Sequence, residues 1–231
     1  MDVNTFRDKI KLNFKDVDAN FFSQIEKYKL FLQDYNKKIN LTRLADEEKI
    51  YGQYFFESVI PYRKFIFEPN ISILDIGSGS GIPGIALLLL FPKIKLTIIE
   101  SNNKKCSFLA ALAKHLGIDV EILCKRAEDI TASEREKFDL VTSRAVAPLK
   151  NILELSIPYT KINGWIIEPK SSNCTSETQC AQKILKLLKS SITSIDTFTS
   201  DEGYIHNVVY VKKHEKTDTK YPRSWKVIIN E

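Results

Sequence analysis

The sequence predicts an α/β protein: a mostly parallel seven-stranded sheet over residues 69–231, preceded by a helical extension over residues 1–68. Three observations predict it. After Pro69-Asn70, short apolar runs alternate with segments of helical periodicity, the pattern of a parallel sheet with helices on both faces. Before that point no alternating run occurs, and the apolar residues recur only at helical spacing. The first apolar run ends in a glycine-rich turn that leads into an apolar helix, the unit that opens a doubly wound sheet.

Each element has its own signal. Residues 18–39 read as a helix because Phe21, Phe22, Ile25, Tyr28, Leu32 and Tyr35 recur with Lys and Glu between them. Asp46 is placed to cap a short helix over 47–51, and a further helical stretch spans about 52–63. The strands fall at 71–76, 95–99, 120–123, 138–142 and 165–168, with helices at 82–91, 104–116, 147–159 and 178–190. Gly117 marks the end of the second of these helices. Two closing strands, 192–198 and 205–212, flank the turn residues Asp201-Glu202-Gly203 and predict an antiparallel edge.

Composition excludes several classes. Hydrophobic residues make up 43% and charged residues 27% of the 231, an ordinary globular balance that speaks against disorder. The net charge of +5 is mild, and the basic excess sits mainly after residue 147. The longest apolar run, Ile85 to Phe91, is far too short to span a bilayer, and the first fourteen residues lack the apolar core of a signal peptide. Cys106, Cys124, Cys174 and Cys180 form no CxxC pair, and only three histidines occur. The expectation is a cytoplasmic protein, monomeric, with no metal and no disulfide framework.

The segment Asp75-Ile76-Gly77-Ser78-Gly79-Ser80-Gly81-Ile82-Pro83-Gly84 carries the chemistry. Glycine lets the chain turn sharply and lie flat against a ligand, because no Cβ intervenes. A formal GxGxxG match at Gly79, Gly81 and Gly84 raises a dinucleotide, and with it an NAD-type oxidoreductase. The register argues otherwise. In the dinucleotide fingerprint the first glycine closes the strand; here that glycine is Gly77, and Ile82 stands five residues on. Acidic-x-Gly-x-Gly-x-Gly, beginning at Asp75, resembles instead the first motif of Rossmann-like class I methyltransferases. Glu100, at the end of the second strand, suits a pair of ribose hydroxyls under either reading.

The whole pattern resembles the RsmG (GidB) family of 16S ribosomal RNA guanine-N7 methyltransferases. Besides the loop, the similar segments are Tyr35 to Thr42, Arg126-Ala127-Glu128, Thr142-Ser143-Arg144-Ala145 and Tyr221-Pro222-Arg223. The resemblance implies S-adenosyl-L-methionine as cofactor, held by Gly77, Ser78, Gly79, Gly81, Ile82, Glu100, Ala127, Glu128 and Arg144. It implies 16S rRNA or the small ribosomal subunit as partner. Arg126, Arg144, Lys170 and Arg223 are its candidate RNA contacts, and Arg144, with a planar fork of donors, suits a guanine edge, a phosphate or the cofactor carboxylate. Three positions depart from the family: Tyr54 where His is expected, His206 where Arg is expected, and Lys170-Ser171 for Lys-Gly. The first two leave open a catalytically silent RNA-binding module on the same fold.

No catalytic acid or base is expected. Guanine N7 offers a lone pair and carries no proton, so positioning suffices. The segment after the fourth strand lacks the Asn/Asp-Pro-Pro-aromatic pattern of adenine amino methylases, and no cysteine stands near that strand or the next for a cytosine-C5 mechanism.

Overall fold

A computed structural model describes residues 1–39, 49–171, 173–200 and 202–231. Asn40-Leu41-Thr42 of the N-terminal signature, the Asp46 cap with Glu47 and Glu48 of the short helix after it, and Asp201 of the closing turn lie outside the described residues.

Seven strands form one sheet: β1 (Ser72–Ile76), β2 (Lys95–Glu100), β3 (Glu121–Cys124), β4 (Phe138–Ser143), β5 (Thr160–Lys170), β6 (Ser190–Thr199) and β7 (Ile205–Lys213), in the order β3-β2-β1-β4-β5-β7-β6. β1 to β5 run parallel, and β7 inserts antiparallel between β5 and β6. This is the expected mostly parallel sheet with an antiparallel edge. β1 pairs with β2 on one side and β4 on the other, so the winding reverses there, and a crevice opens beyond the carboxyl ends of these strands.

Seven α-helices of five residues or more are described: α1 (Val3–Asn13), α2 (Ala19–Ile39), α3 (Gly84–Leu90), α4 (Asn103–Leu116), α5 (Leu149–Ser156), α6 (Cys174–Leu187) and α7 (Trp225–Ile229). Neighbouring residues of β1 enter opposite cores, as strand alternation requires. Ile73 joins a core built with α1 to α4, and Leu74 joins one built with α5 and α6. The N-terminal helices are thus continuous with the sheet: Phe6, Ile10, Phe21, Ile25, Tyr28 and Leu32 pack in the same core as Ile73, Ile85 and Ile98. None of the described helices is long and apolar enough to cross a membrane.

Local chemistry sets several boundaries. Asn102 caps α4, its Oδ1 accepting from the amides of Lys104 (2.9 Å) and Lys105 (3.3 Å), and Gly117 closes the helix in the left-handed conformation at φ 65°. α1 was not expected from the sequence. Asp2 caps it through the amides of Asn4 and Thr5, and Phe6 and Ile10 form its short buried stripe. The stretch read as an ordinary helix over 52–63 begins as a π-helix, Ile50–Phe56, passes through one α turn, Glu57–Val59, and ends in a 3-10 turn, Ile60–Tyr62. β5 starts five residues earlier than its apolar signal at 165, because Asn163 (φ 62°) and Gly164 look like a turn yet sit inside the strand at a register shift.

The cysteines depart from expectation. Cys106, in the first turn of α4, and Cys124, at the end of β3, form a disulfide with their Cα atoms 6.0 Å apart. Their 18-residue separation hides the pair in sequence, and the β2–α4–β3 crossover brings them together.

Candidate functional site: a glycine cradle at the end of β1

β1 delivers Asp75 fully buried at the foot of the loop. Its Oδ2 accepts from Ser78 Oγ (2.5 Å) and the Gly84 amide (2.9 Å), so one carboxylate closes the loop at both ends. Its other oxygen, Oδ1, is buried without a hydrogen-bond partner. Burial raises the Asp75 pKa to about 6. A buried, partnerless carboxylate oxygen costs free energy unless a donor arrives.

Gly79 stands at φ 63°, and a Cβ added there would meet only the Gly77 carbonyl, at 3.9 Å. The loop therefore has free space over Gly79. The Gly79 amide donates to Glu100 Oε2 (3.0 Å) and the Asn102 amide to Glu100 Oε1 (2.9 Å), which fixes the Glu100 carboxylate at the end of β2.

A cleft of about 170 Å³ continues from this point. Gly77, Ser101, Arg126, Ala127, Glu128 and Trp225 line it. The Tyr159 hydroxyl donates to the Ala127 carbonyl (2.8 Å) and holds the segment after β3 in place. The Arg126 guanidinium lies 5.6 Å from the Trp225 ring and bonds Glu128 at 3.1 Å. Two larger hollows, about 610 and 560 Å³, lie at the opposite end of the sheet, against the starts of β2 and β3 and of β4 and β5. Ligands of open parallel sheets sit at the carboxyl ends, so the smaller cleft is the candidate site.

Gly77, Arg126, Ala127 and Glu128 thus line one cleft, while Ser78, bonded to Asp75, and Gly79, bonded to Glu100, follow Gly77 in the loop. Gly81 and Ile82 continue the loop into α3, the Ile82 amide donating to the Ser78 carbonyl (3.2 Å). The other three basic candidates are engaged within the fold. Arg144 Nη1 donates to the Tyr54 carbonyl (3.1 Å) and Ser58 Oγ (2.5 Å), and Nη2 to the Gln53 carbonyl (2.7 Å) and Glu57 Oε2 (3.3 Å). Lys170 Nζ donates to the Ala147 carbonyl (2.7 Å) and pairs with Glu177 (3.1 Å). Arg223 makes a two-pronged contact to the buried Glu154, at 2.8 and 2.7 Å, and also pairs with Glu231.

The first two departures from the family, Tyr54 and His206, occupy defined places. The Tyr54 hydroxyl donates to the Ser80 carbonyl of the loop (2.9 Å). His206 stacks on Phe198 with ring centroids 4.9 Å apart, and its Nε2 lies 4.0 Å from Glu57 Oε1. Burial holds the His206 pKa below its usual value. At the end of β4, Ser143 Oγ donates to Glu168 Oε2 (2.6 Å), and burial raises the Glu168 pKa to about 8. Four features escape a reading of the sequence: the Trp225 wall, the orphan oxygen of Asp75, and the hydroxyls of Tyr28 and Tyr54. The one available hint was that helical core positions 28 and 54 hold Tyr rather than Phe. Among the described residues, no group of three or more His, Cys, Asp or Glu is arranged to hold a metal.

Strand order, the antiparallel β7 and the glycine loop after β1 define a class I methyltransferase fold. Solved structures with this fold include PH0226 from Pyrococcus horikoshii OT3, with 14% identity, a TM-score of 0.56, and coverage of 79% of this chain and 99% of that one. They also include TYW2 of P. horikoshii in complex with MeSAdo, with 13% identity, a TM-score of 0.50, and coverage of 64% and 58%. The family model of GidB, rRNA small subunit methyltransferase G, matches residues 22–205, and the chain belongs to this family. Its relatives include ribosomal RNA small subunit methyltransferase G of Malacoplasma penetrans, 45% identical over 97% of both chains. The protein of that name from Ureaplasma parvum serovar 3 is 44% identical over 94% of this chain and 93% of its own.

Proposed function

We propose that the chain transfers a methyl group from S-adenosyl-L-methionine to N7 of a guanine in 16S ribosomal RNA, acting as a cytoplasmic monomer on that RNA or on the small ribosomal subunit. The observation that carries the cofactor reading is the open space over Gly79 in the loop after β1; at the foot of the same loop Oδ1 of Asp75 is buried without a partner. The donor set fits the group. Asp75 Oδ1 can accept from an ammonium, Glu100 from ribose hydroxyls, and the segment Arg126 to Glu128 flanks a planar ring with the Ala127 amide and the Glu128 carboxylate. The small-subunit rRNA part is supported by family membership, and the guanine-N7 part by the resemblance of the sequence motifs alone.

When bound, S-adenosylmethionine supplies an electrophilic methyl carried on a positive sulfur. The protein's share is orientation. N7 has a free lone pair and no proton to lose, so no side chain need act as a base, and aligning the two reactants supplies most of the rate. The glycine loop and Glu100 fix one partner. The rim formed by the ends of β4 and β5 and the start of β7 is the surface we assign to the RNA.

The test pairs two measurements. Calorimetry should give micromolar or tighter binding of S-adenosylhomocysteine and none of NAD, and labelled methyl should pass to unmodified 30S subunits or 16S RNA. Binding of NAD alone, or a folded protein that transfers no methyl to either RNA, would overturn the proposal.

A further inference from the structure

The glycine loop is held from outside the sheet. Tyr28 on α2 and Tyr54 on the π-helical segment both donate to the Ser80 carbonyl, at 2.5 and 2.9 Å, and their hydroxyls lie 3.2 Å apart. A carbonyl has two lone pairs, so this pair of donors saturates it. Both rings are buried, and their planes meet edge to face. Burial raises the Tyr28 pKa well above its usual value and the Tyr54 pKa to about 12, so both remain donors at any working pH. The next residue confirms how close the support stands: a Cβ on Gly81 would collide with the Tyr28 hydroxyl.

The same π-helical segment anchors the end of β4. The Glu57 amide bonds the Gly52 carbonyl, five residues back, instead of the Gln53 carbonyl, four back. Gln53 thereby offers its carbonyl to the Arg144 guanidinium, and the Tyr54 carbonyl accepts from the same group. One short segment thus holds the cofactor loop through the Tyr54 hydroxyl and the β4 end through backbone carbonyls.

We propose that Tyr28 and Tyr54 are positioning residues for methyl transfer: their two hydroxyls jointly fix the Ser80 carbonyl, and with it the open face of Gly79, while Tyr54 links that loop to Arg144. The inference rests on the cofactor reading above. It makes the N-terminal helices part of the cofactor site, although they line none of its cleft.

Because two donors share one acceptor, the hydroxyls substitute for each other. Tyr28→Phe and Tyr54→Phe should each leave S-adenosylhomocysteine affinity within about threefold, since the carbonyl keeps one partner. The double variant leaves a buried carbonyl without a partner and should weaken affinity about tenfold or more, beyond the product of the two single effects. Binding is measured by calorimetry well below the melting temperature. Steady-state kinetics should show the rise in KM for S-adenosylmethionine, with KM for RNA changed little. A purely structural role would lower the melting temperature and leave both cofactor constants unmoved, which would overturn the inference. Independent, multiplicative effects of the two substitutions would also overturn it. A wild-type protein that binds no S-adenosylhomocysteine would defeat the underlying cofactor reading instead.

Discussion

Replacing Gly79 separates folding from ligand binding, and Gly117 supplies the control. Both glycines have a left-handed backbone, φ 63° and 65°. An added Cβ meets only the Gly77 carbonyl at 3.9 Å in the first case and nothing within 4 Å in the second. Alanine at either site therefore carries only the left-handed penalty, about 1–2 kcal/mol. For a domain of this size that lowers the melting temperature by about 2–8 °C. The two variants should melt alike. They should differ in cofactor affinity, because a methyl on Gly79 enters the space assigned to the ligand. Overfilling a packed contact costs about 1–3 kcal/mol, or roughly 5- to 150-fold in Kd. Gly79→Val should abolish binding, since a β-branched residue at positive φ adds strain to bulk. The assay is thermal unfolding by circular dichroism beside calorimetry with S-adenosylhomocysteine. If Gly79→Ala binds like wild type, or Gly117→Ala loses as much affinity, the cradle is misassigned.

Arg223→Ala should destabilise the fold, because Glu154 keeps only 2% of its side chain exposed and loses its charged partner. Losing one partner of a buried pair costs about 3–5 kcal/mol, and the 29% exposure of Arg223 argues for a smaller loss, about 2 kcal/mol. A melting temperature unchanged by the substitution would refute this; a flatter salt dependence of RNA binding would show an added role at the interface. The raised pKa values of Asp75, about 6, and Glu168, about 8, each add a pH dependence to stability. Between each unfolded and folded pKa the native state binds the extra proton, so these groups make stability fall as pH rises from about 4 to 8. Glu168→Gln should flatten that fall between about pH 4.5 and 8, and parallel unfolding curves for variant and wild type would contradict it. Cofactor affinity should rise as pH passes about 6, where Asp75 ionises to receive an ammonium, and Asp75→Asn should remove that rise.

The fold was largely legible because its signals are local. Ile71 to Ile76, the glycine turn and the apolar run of α3 announce themselves by composition, and the Asp201–Gly203 turn placed the antiparallel edge. The errors arose where tertiary context prevailed. Asn163-Gly164 has the chemistry of a turn and lies within a strand. The π-register of Ile50–Phe56 leaves no mark on apolar spacing, and the partner of its carbonyls, Arg144, stands ninety residues on. The cofactor side of the site was legible through glycines and strand-end acids, which act where they stand in the chain. The destinations of Arg144, Lys170 and Arg223 were not, because a long cation reaches its partner through space, and Glu57, Glu177 and Glu154 became neighbours only on folding. The Cys106–Cys124 disulfide was hidden for the same reason.

The most direct test is to map the modified base. 16S RNA lacking the modification, alone or in 30S subunits, is incubated with the protein and S-adenosylmethionine, treated with borohydride and aniline, and read by reverse transcription. A single new stop at a guanine, dependent on both protein and cofactor and absent with Gly79→Val, is the predicted result. Methyl incorporation without any aniline-sensitive site, or a stop that persists with the Gly79 variant, would contradict it.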